Sequence, residues 1–172
     1  MKTLACITDE TLGLIEESEG CPKKEREATR AIIFNDDGQV ALIYTEKHGH
    51  HKLPGGGIED GEDFKVAIER EAIEEAGCEI KVREEVIGKI EERRNRHNFK
   101  QTSYCGIADV IKDLGANQLT EDEISEGYTA PKWVTLQEAL ELFNTDQPKT
   151  YIGKHMHARD MMFVETAIGM SL

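Results

Sequence analysis

The stretch GGIEDGEDFKVAIEREAIEEAGC, residues 56–78, decides how this chain is read. From Glu62 to Gly77 it is rich in good helix formers and stops at a glycine suited to the left-handed residue that follows a helix. At about 100° per residue, Phe64, Ala67 and Ile68 share one stripe, as on a helix packed against a core. The same stripe continues as Glu71, Glu74 and Glu75. Carboxylates at i, i+3 and i+4 repel one another, and the C-terminal end of a helix also disfavours negative charge. Arg70 can pair with Glu74, but one guanidinium does not neutralise three carboxylates. Two readings stay open at this point: a solvated acidic helix end, or a site for a hard divalent cation such as Mg²⁺ or Mn²⁺.

Upstream, LPGGGIEDGE (residues 53–62) sets three consecutive glycines and Gly61 before the helix, which lets backbone approach the carboxylates or a ligand closely. Two β-rich runs, Thr29–Phe34 and Val40–Thr45, flank Asn35-Asp36-Asp37-Gly38 and predict a hairpin. Leu4–Ile7 reads as a first strand, and the polar stretch Glu16–Glu27 as a loop or edge segment. Downstream, Ile80–Glu92 and Phe99–Ile111 read as strands joined around Asn95–Asn98. Glu121–Glu126 reads as an acidic loop and Lys132–Val134 as a strand. Thr135 opens a helix through Phe143, with Glu138 completing a capping box, and His155–Ile168 has helical spacing. Strands mixed with two or three helices, without strict βαβ alternation, predict a mixed α/β sandwich. No shift in composition divides the chain, so a single domain over residues 1–172 is expected.

The 172 residues carry 21 Lys+Arg and 34 Asp+Glu, a formal net charge of −13. Such a charge repels phosphate backbones and anionic lipid, which argues against nucleic-acid polymers and membrane surfaces as partners. An anionic substrate would need a local cation. No apolar run approaches the ~18 residues of a membrane span, and Asp9 and Glu10 interrupt the first residues before a signal-peptide core forms, so a cytoplasmic protein is expected. Cys6, Cys21, Cys78 and Cys105 form no CxxC pair and read as reduced thiols.

Taken together, Gly56, Glu62, Arg70, Glu71, Glu74, Glu75 and Gly77 stand at the spacing G-x5-E-x7-R-E-U-x-E-E-x-G-U, and the chain resembles the Nudix hydrolases (MutT-like). Ala72 and Cys78 occupy the aliphatic positions U, a departure that touches packing more than chemistry. The hairpin before the motif, the strand pair after it, and WVTLQEALELF behind an acidic loop follow the usual order of that family. The resemblance implies an α/β/α sandwich with a mixed, mainly antiparallel sheet and a catalytic loop and helix. It also implies Mg²⁺-dependent hydrolysis of a nucleoside diphosphate linked to a moiety X, with a small-molecule nucleotide as substrate. Glu71 and Glu75 are then the principal metal ligands, joined by Glu74 and the backbone carbonyl of Gly55, and the Glu62–Arg70 pair braces loop against helix. The proton acceptor is not uniform in the family; candidates are Glu71, Glu74, or the loop acids Glu121, Asp122, Glu123 and Glu126, with Glu126 or Glu123 preferred. A homodimer is an expectation of the same kind. The alternative is a Nudix module that senses a nucleotide without cleaving it.

Arg93, Arg94, Arg96, His97 and Lys100 form the basic cluster of the chain. Arg93, Arg94 and Arg96 are candidates for holding substrate phosphates, against a solvated hairpin tip paired with Glu91 and Glu92. His48, His50 and His51 read as polar loop residues near the pocket, with a transition-metal site less favoured; His155 and His157 make no recognisable site. Tyr44, Phe99, Tyr104 and Trp133 are candidates for base stacking or for the core.

Overall fold

A computed structural model describes residues 1–14 and 23–172 of the chain. In chain order the elements are β1 (Thr3–Thr8), β2 (Lys24–Phe34), β3 (Val40–Thr45), β4 (His50–Lys52), α1 (Phe64–Glu71), β5 (Cys78–Arg94), β6 (Phe99–Asp113), α2 (Glu121–Ser125), β7 (Lys132–Val134), α3 (Leu136–Thr145) and α4 (Tyr151–Gly169). The strands make one mixed sheet of order β1-β5-β6-β2-β3-β4, with β7 also on β3. The β1/β5 and β2/β6 pairs are parallel and the remaining pairs antiparallel, as expected of the mixed, mainly antiparallel sheet.

Alternation along β2 shows how the layers form. Ala31 and Ile33 point to one face and pack with Ile68, Ala72 and Ala76 of the motif helix. Ile32 and Phe34 point to the other and join Phe143 of α3 and Phe163 and Val164 of α4. A strand apolar on both sides must be covered on both sides, so helices flank the sheet in an α/β/α sandwich. The hairpin turn falls at Asn35–Gly38, where Asn35 N–H donates to Gln39 O at 2.9 Å and Gly38 adopts φ +72°.

Three expectations change. Lys24–Glu27, read as loop or edge, opens the 11-residue β2, which runs in parallel register on β6 from Lys24↔Phe99 onward. Backbone pairing with β6 carries this polar, exposed segment into the sheet; residues 15–22, including most of the remaining polar stretch and Cys21, lie outside the described residues. The acidic segment Glu121–Glu126 is not all loop: Thr120 and Glu123 form a reciprocal capping box that holds the one-turn helix α2. The histidines before the glycine loop are not loop residues throughout, because His50–Lys52 pairs antiparallel with Tyr44 and its neighbours as β4. Of the thiols, Cys78 and Cys105 are buried and Cys6 exposed, all free. Among the described residues no helix is long and apolar enough to cross a membrane.

Candidate active site

The motif helix begins with Asp63, whose carboxylate accepts from Lys65 and Val66 N–H, and ends at Gly77 with φ +64°. Its last turn, Ala72–Ala76, is π-helical rather than α-helical, so the angular spacing of Glu71, Glu74 and Glu75 is not that of a regular helix. The three side chains take different surroundings. Glu71 and Glu75 are buried, whereas Glu74 is part exposed.

Arg70 organises the outer side of the site. Its Nε and Nη2 donate to the two oxygens of Glu62 at 2.8 and 3.1 Å, its Nη1 to Glu71 at 2.8 Å and Glu74 at 2.9 Å, and its Nη2 to Gly57 O at 2.9 Å. All five N–H donors of the guanidinium are thereby engaged, and the glycine loop is tied to the helix. These partners, Glu62 first, raise the Arg70 pKa further above its ordinary value. Burial raises that of Glu74, against the pull of Arg70.

Glycine is required where loop and helix meet. At Gly55 (φ +139°) a Cβ would lie 2.9 Å from Arg30 Cα. At Gly56 it would lie 2.7 Å from Glu71 Cδ, so only hydrogen leaves room for that carboxylate.

Glu71, Glu74 and Glu123 come together: one carboxylate oxygen of each lies within 4.8 Å of the others. Glu71 Oε2 is buried and has no hydrogen-bond partner, although Oε1 is held by Arg70. An acceptor-only cluster of oxygens with one buried oxygen unpaired fits a hard divalent cation, and among the described residues no histidine or thiol joins the cluster.

Glu75 and Gly55, also expected as metal ligands, line the same cavity as this cluster and are tied to Lys52. Lys52 Nζ donates to Glu75 Oε1 at 2.5 Å and to Gly55 O at 3.2 Å, and Gly55 N–H donates to Glu75 Oε2 at 2.8 Å. Both side chains are almost fully buried. Burial raises the Glu75 pKa to about 7, against the nearby Lys52 ammonium, and the charge of Glu71 adds to the rise. For Lys52 the cost of burial is outweighed by Glu75, so the ammonium is retained.

The loop acids separate. Glu123 faces the helix carboxylates while its Oε2 accepts from Thr120 N–H at 2.7 Å. Glu126 accepts from Lys47 Nζ at 3.2 Å and lies 3.6 Å from His48 Nε2. Burial lowers the His48 pKa, and His48 Nδ1 meets Thr150 Oγ1 at 2.5 Å. His50 is wholly buried, its pKa pushed down to about 4 by burial, and His51 pairs with Asp146 at 3.0 Å, so neither is a free pocket residue.

A cavity of about 590 Å³ is lined by Glu71, Glu74, Glu75, Glu123, Glu126 and the glycine loop, with Tyr128, Ile152 and Met156 among its other walls. Of the basic cluster only Arg94 reaches it. Arg93 is half-exposed and 3.8 Å from Glu91, and the Arg96 guanidinium lies 4.6 Å from the Tyr151 ring centroid. Arg26, Arg30 and Gln101 also line the cavity and were missed in the sequence. The signal for the first two was the i, i+4 spacing of Arg26 and Arg30, legible only once β2 is extended back to Lys24. None of the four aromatic residues considered for base stacking lines the cavity.

A NUDIX domain profile matches residues 24–153. The chain is 30% identical over 118 residues to "Nudix hydrolase 12, mitochondrial" of Arabidopsis thaliana, covering 69% of this chain and 58% of that protein. It is 28% identical over 123 residues to "Nudix hydrolase 13, mitochondrial" of the same plant, covering 70% and 60%. The matched region thus spans under two thirds of either relative. In fold it is similar to a NUDIX hydrolase from Nitrosomonas europaea, with TM-score 0.64, 18% identity, and 84% and 89% of the two chains covered.

Proposed function

The chain belongs to the Nudix family, and from that premise we propose that it is a divalent-metal-dependent pyrophosphohydrolase acting on a nucleoside diphosphate linked to a moiety X. The observation that carries the reading is the meeting of Glu71, Glu74 and Glu123 within 4.8 Å, with one buried Glu71 oxygen left unpaired. Glu71, Glu74 and Glu123 would hold Mg²⁺ or Mn²⁺; when bound, such an ion offsets the charge of the diphosphate and lowers the pKa of an attacking water.

The remaining work falls to the chain's own groups. Arg70 holds Glu62, Glu71 and Glu74 in place, so the carboxylates need not reorganise when substrate arrives. Lys52 and Glu75 together fix the Gly55 backbone from behind. Glu126, on the cavity wall and outside the carboxylate cluster, is placed to accept the proton of the water. Lys47 and His48 orient its two oxygens.

The test is hydrolysis by the purified chain, with Mg²⁺ or Mn²⁺, of a panel of nucleoside triphosphates and nucleoside diphosphate sugars. Release of a nucleoside monophosphate or pyrophosphate that stops with Glu71→Gln supports the reading. No product from any member of the panel overturns it, and tight nucleotide binding without turnover would make the chain a sensor.

A further inference from the structure

Opposite the carboxylates, the cavity floor is built by one face of three strands. Arg26 and Arg30 share a face of β2. Arg26 stands in register with Gln101 of β6, and Gln101 with Glu92 of β5, which places Arg94 two residues along on that same face. The Arg26 guanidinium lies against the glycine loop, where a Cβ on Gly57 would fall 2.8 Å from its Nε.

The arginines on this floor are only partly paired. Arg94 donates to Glu92 at 2.8 Å, and Arg159 bridges Glu92 at 2.9 Å and Asp160 at 2.7 Å. Arg30 lies 3.7 Å from the same Asp160. Arg26 adds a further guanidinium on the same face of the cavity. Arg94 Nε, in a side chain 9% exposed and stacked over Phe99, is buried with no hydrogen-bond partner. A buried donor of a charged group left unpaired is costly, and an incoming anion would satisfy it. Arg70 cannot serve that anion, because its five donors are taken. In a chain of net charge −13, this floor is the local cation an anionic substrate requires.

We propose that Arg26 and Arg94 form an anion subsite for a phosphate group lying beyond the diphosphate held at the carboxylates; Gln101 only braces the floor, its two N–H donors being taken by Glu92 and Ser103. The substrate class is then one with three or more consecutive phosphates, such as a nucleoside triphosphate, rather than a diphosphate sugar. The carboxylates and their cation engage the phosphates that flank the bond to be cut, and Arg70 has no donor to spare, so a further phosphate is the partner that Arg26 and the unpaired Arg94 Nε lack. The inference rests on the reading of the site as one for a nucleoside diphosphate linkage.

The experiment reads binding without turnover. Methylene-bridged analogues of ATP and of ADP are titrated calorimetrically into the Mg²⁺-saturated chain, wild type and Arg26→Ala. Arg26 is exposed, so its truncation spares the core. Arg94→Lys keeps the buried charge beside Glu92 but loses the planar fork. Wild type should prefer the triphosphate analogue. Each variant should weaken that analogue about tenfold, the scale of one charge-assisted contact, and the diphosphate analogue less than twofold. Equal weakening of both analogues, or a wild type that does not distinguish or does not bind them, overturns the proposal. Failure of hydrolysis alone would strike the catalytic reading and leave these affinities to stand or fall separately.

Discussion

The Lys52 ammonium lies 2.5 Å from the Glu75 carboxylate, and both side chains are no more than 2% exposed. A motif glutamate is therefore neutralised from within the fold, and the glycine loop hangs on the pair through Gly55. Removing one partner strands the other in a poorly solvated place. Lys52→Met should lower the free energy of unfolding by about 3 kcal/mol, read from urea denaturation. Glu75→Gln keeps one acceptor oxygen, enough for Lys52 or for the Gly55 N–H but not for both, so it should also lower the unfolding midpoint, by less than Lys52→Met, while turnover collapses. Full activity in Glu75→Gln would remove that residue from the machinery.

Gly56 and Glu71 give a second test, because their contact separates geometry from charge. The backbone at Gly56 has no positive φ, so alanine is conformationally tolerated, and the nearest conflict of its Cβ is with the Glu71 carboxylate. Gly56→Ala should weaken Mn²⁺ binding, followed by electron paramagnetic resonance, about tenfold and reduce kcat about a hundredfold, the scale seen when metal ligands are misoriented. Glu71→Gln should do at least as much. Unchanged Mn²⁺ affinity in both would dismiss Glu71 as a ligand.

Glu92 governs an acid limb of stability. Burial alone would raise its pKa, but the guanidiniums of Arg159 and Arg94 hold it at about 2, against an ordinary 4.5. Between those values the unfolded chain binds more protons than the folded one. The contribution is thus complete above about pH 4.5 and is lost as pH falls toward 2. A depression of this size corresponds to about 3 kcal/mol at neutral pH. Stability of wild type and Glu92→Gln, measured by urea unfolding from pH 7 downward, should differ by about that much at pH 7 and converge toward pH 2.5. Parallel curves would show that the carboxylate does not titrate against these arginines.

How much was legible in advance follows from what kind of pattern each residue belongs to. The layered fold was readable because β2 and β3 are apolar runs around an Asp-Gly turn, and the Glu62–Arg70 brace because both residues sit at fixed spacing in the motif. Lys52 was not readable: nothing in HHKLPGG says that an ammonium turns inward, since its partner lies 23 residues away and meets it only when the loop folds over β4. Arg26 was hidden because the opening of β2 is polar and carried into the sheet by backbone pairing rather than by its own hydrophobicity. Thr120 and Glu123 repeat the capping spacing of Thr135 and Glu138, yet only the second pair precedes an apolar run, which is why one helix was seen and the other read as loop.

That short helix gives the two loop acids different neighbours. Capping turns Glu123 toward Glu71 and Glu74, whereas Glu126, at the helix C-cap, is turned to Lys47 and His48. On the proposed reading, one goes with the cation and the other with the proton. Glu123→Gln should weaken Mn²⁺ binding severalfold, with kcat restored in part by excess metal. Glu126→Gln should leave Mn²⁺ affinity unchanged and lower kcat by about a hundredfold or more, the usual cost of losing a general base. His48→Ala should lower kcat severalfold without changing metal affinity, because it removes the group facing one Glu126 oxygen. If Glu126→Gln instead weakened the metal and Glu123→Gln did not, the two assignments would have to be exchanged.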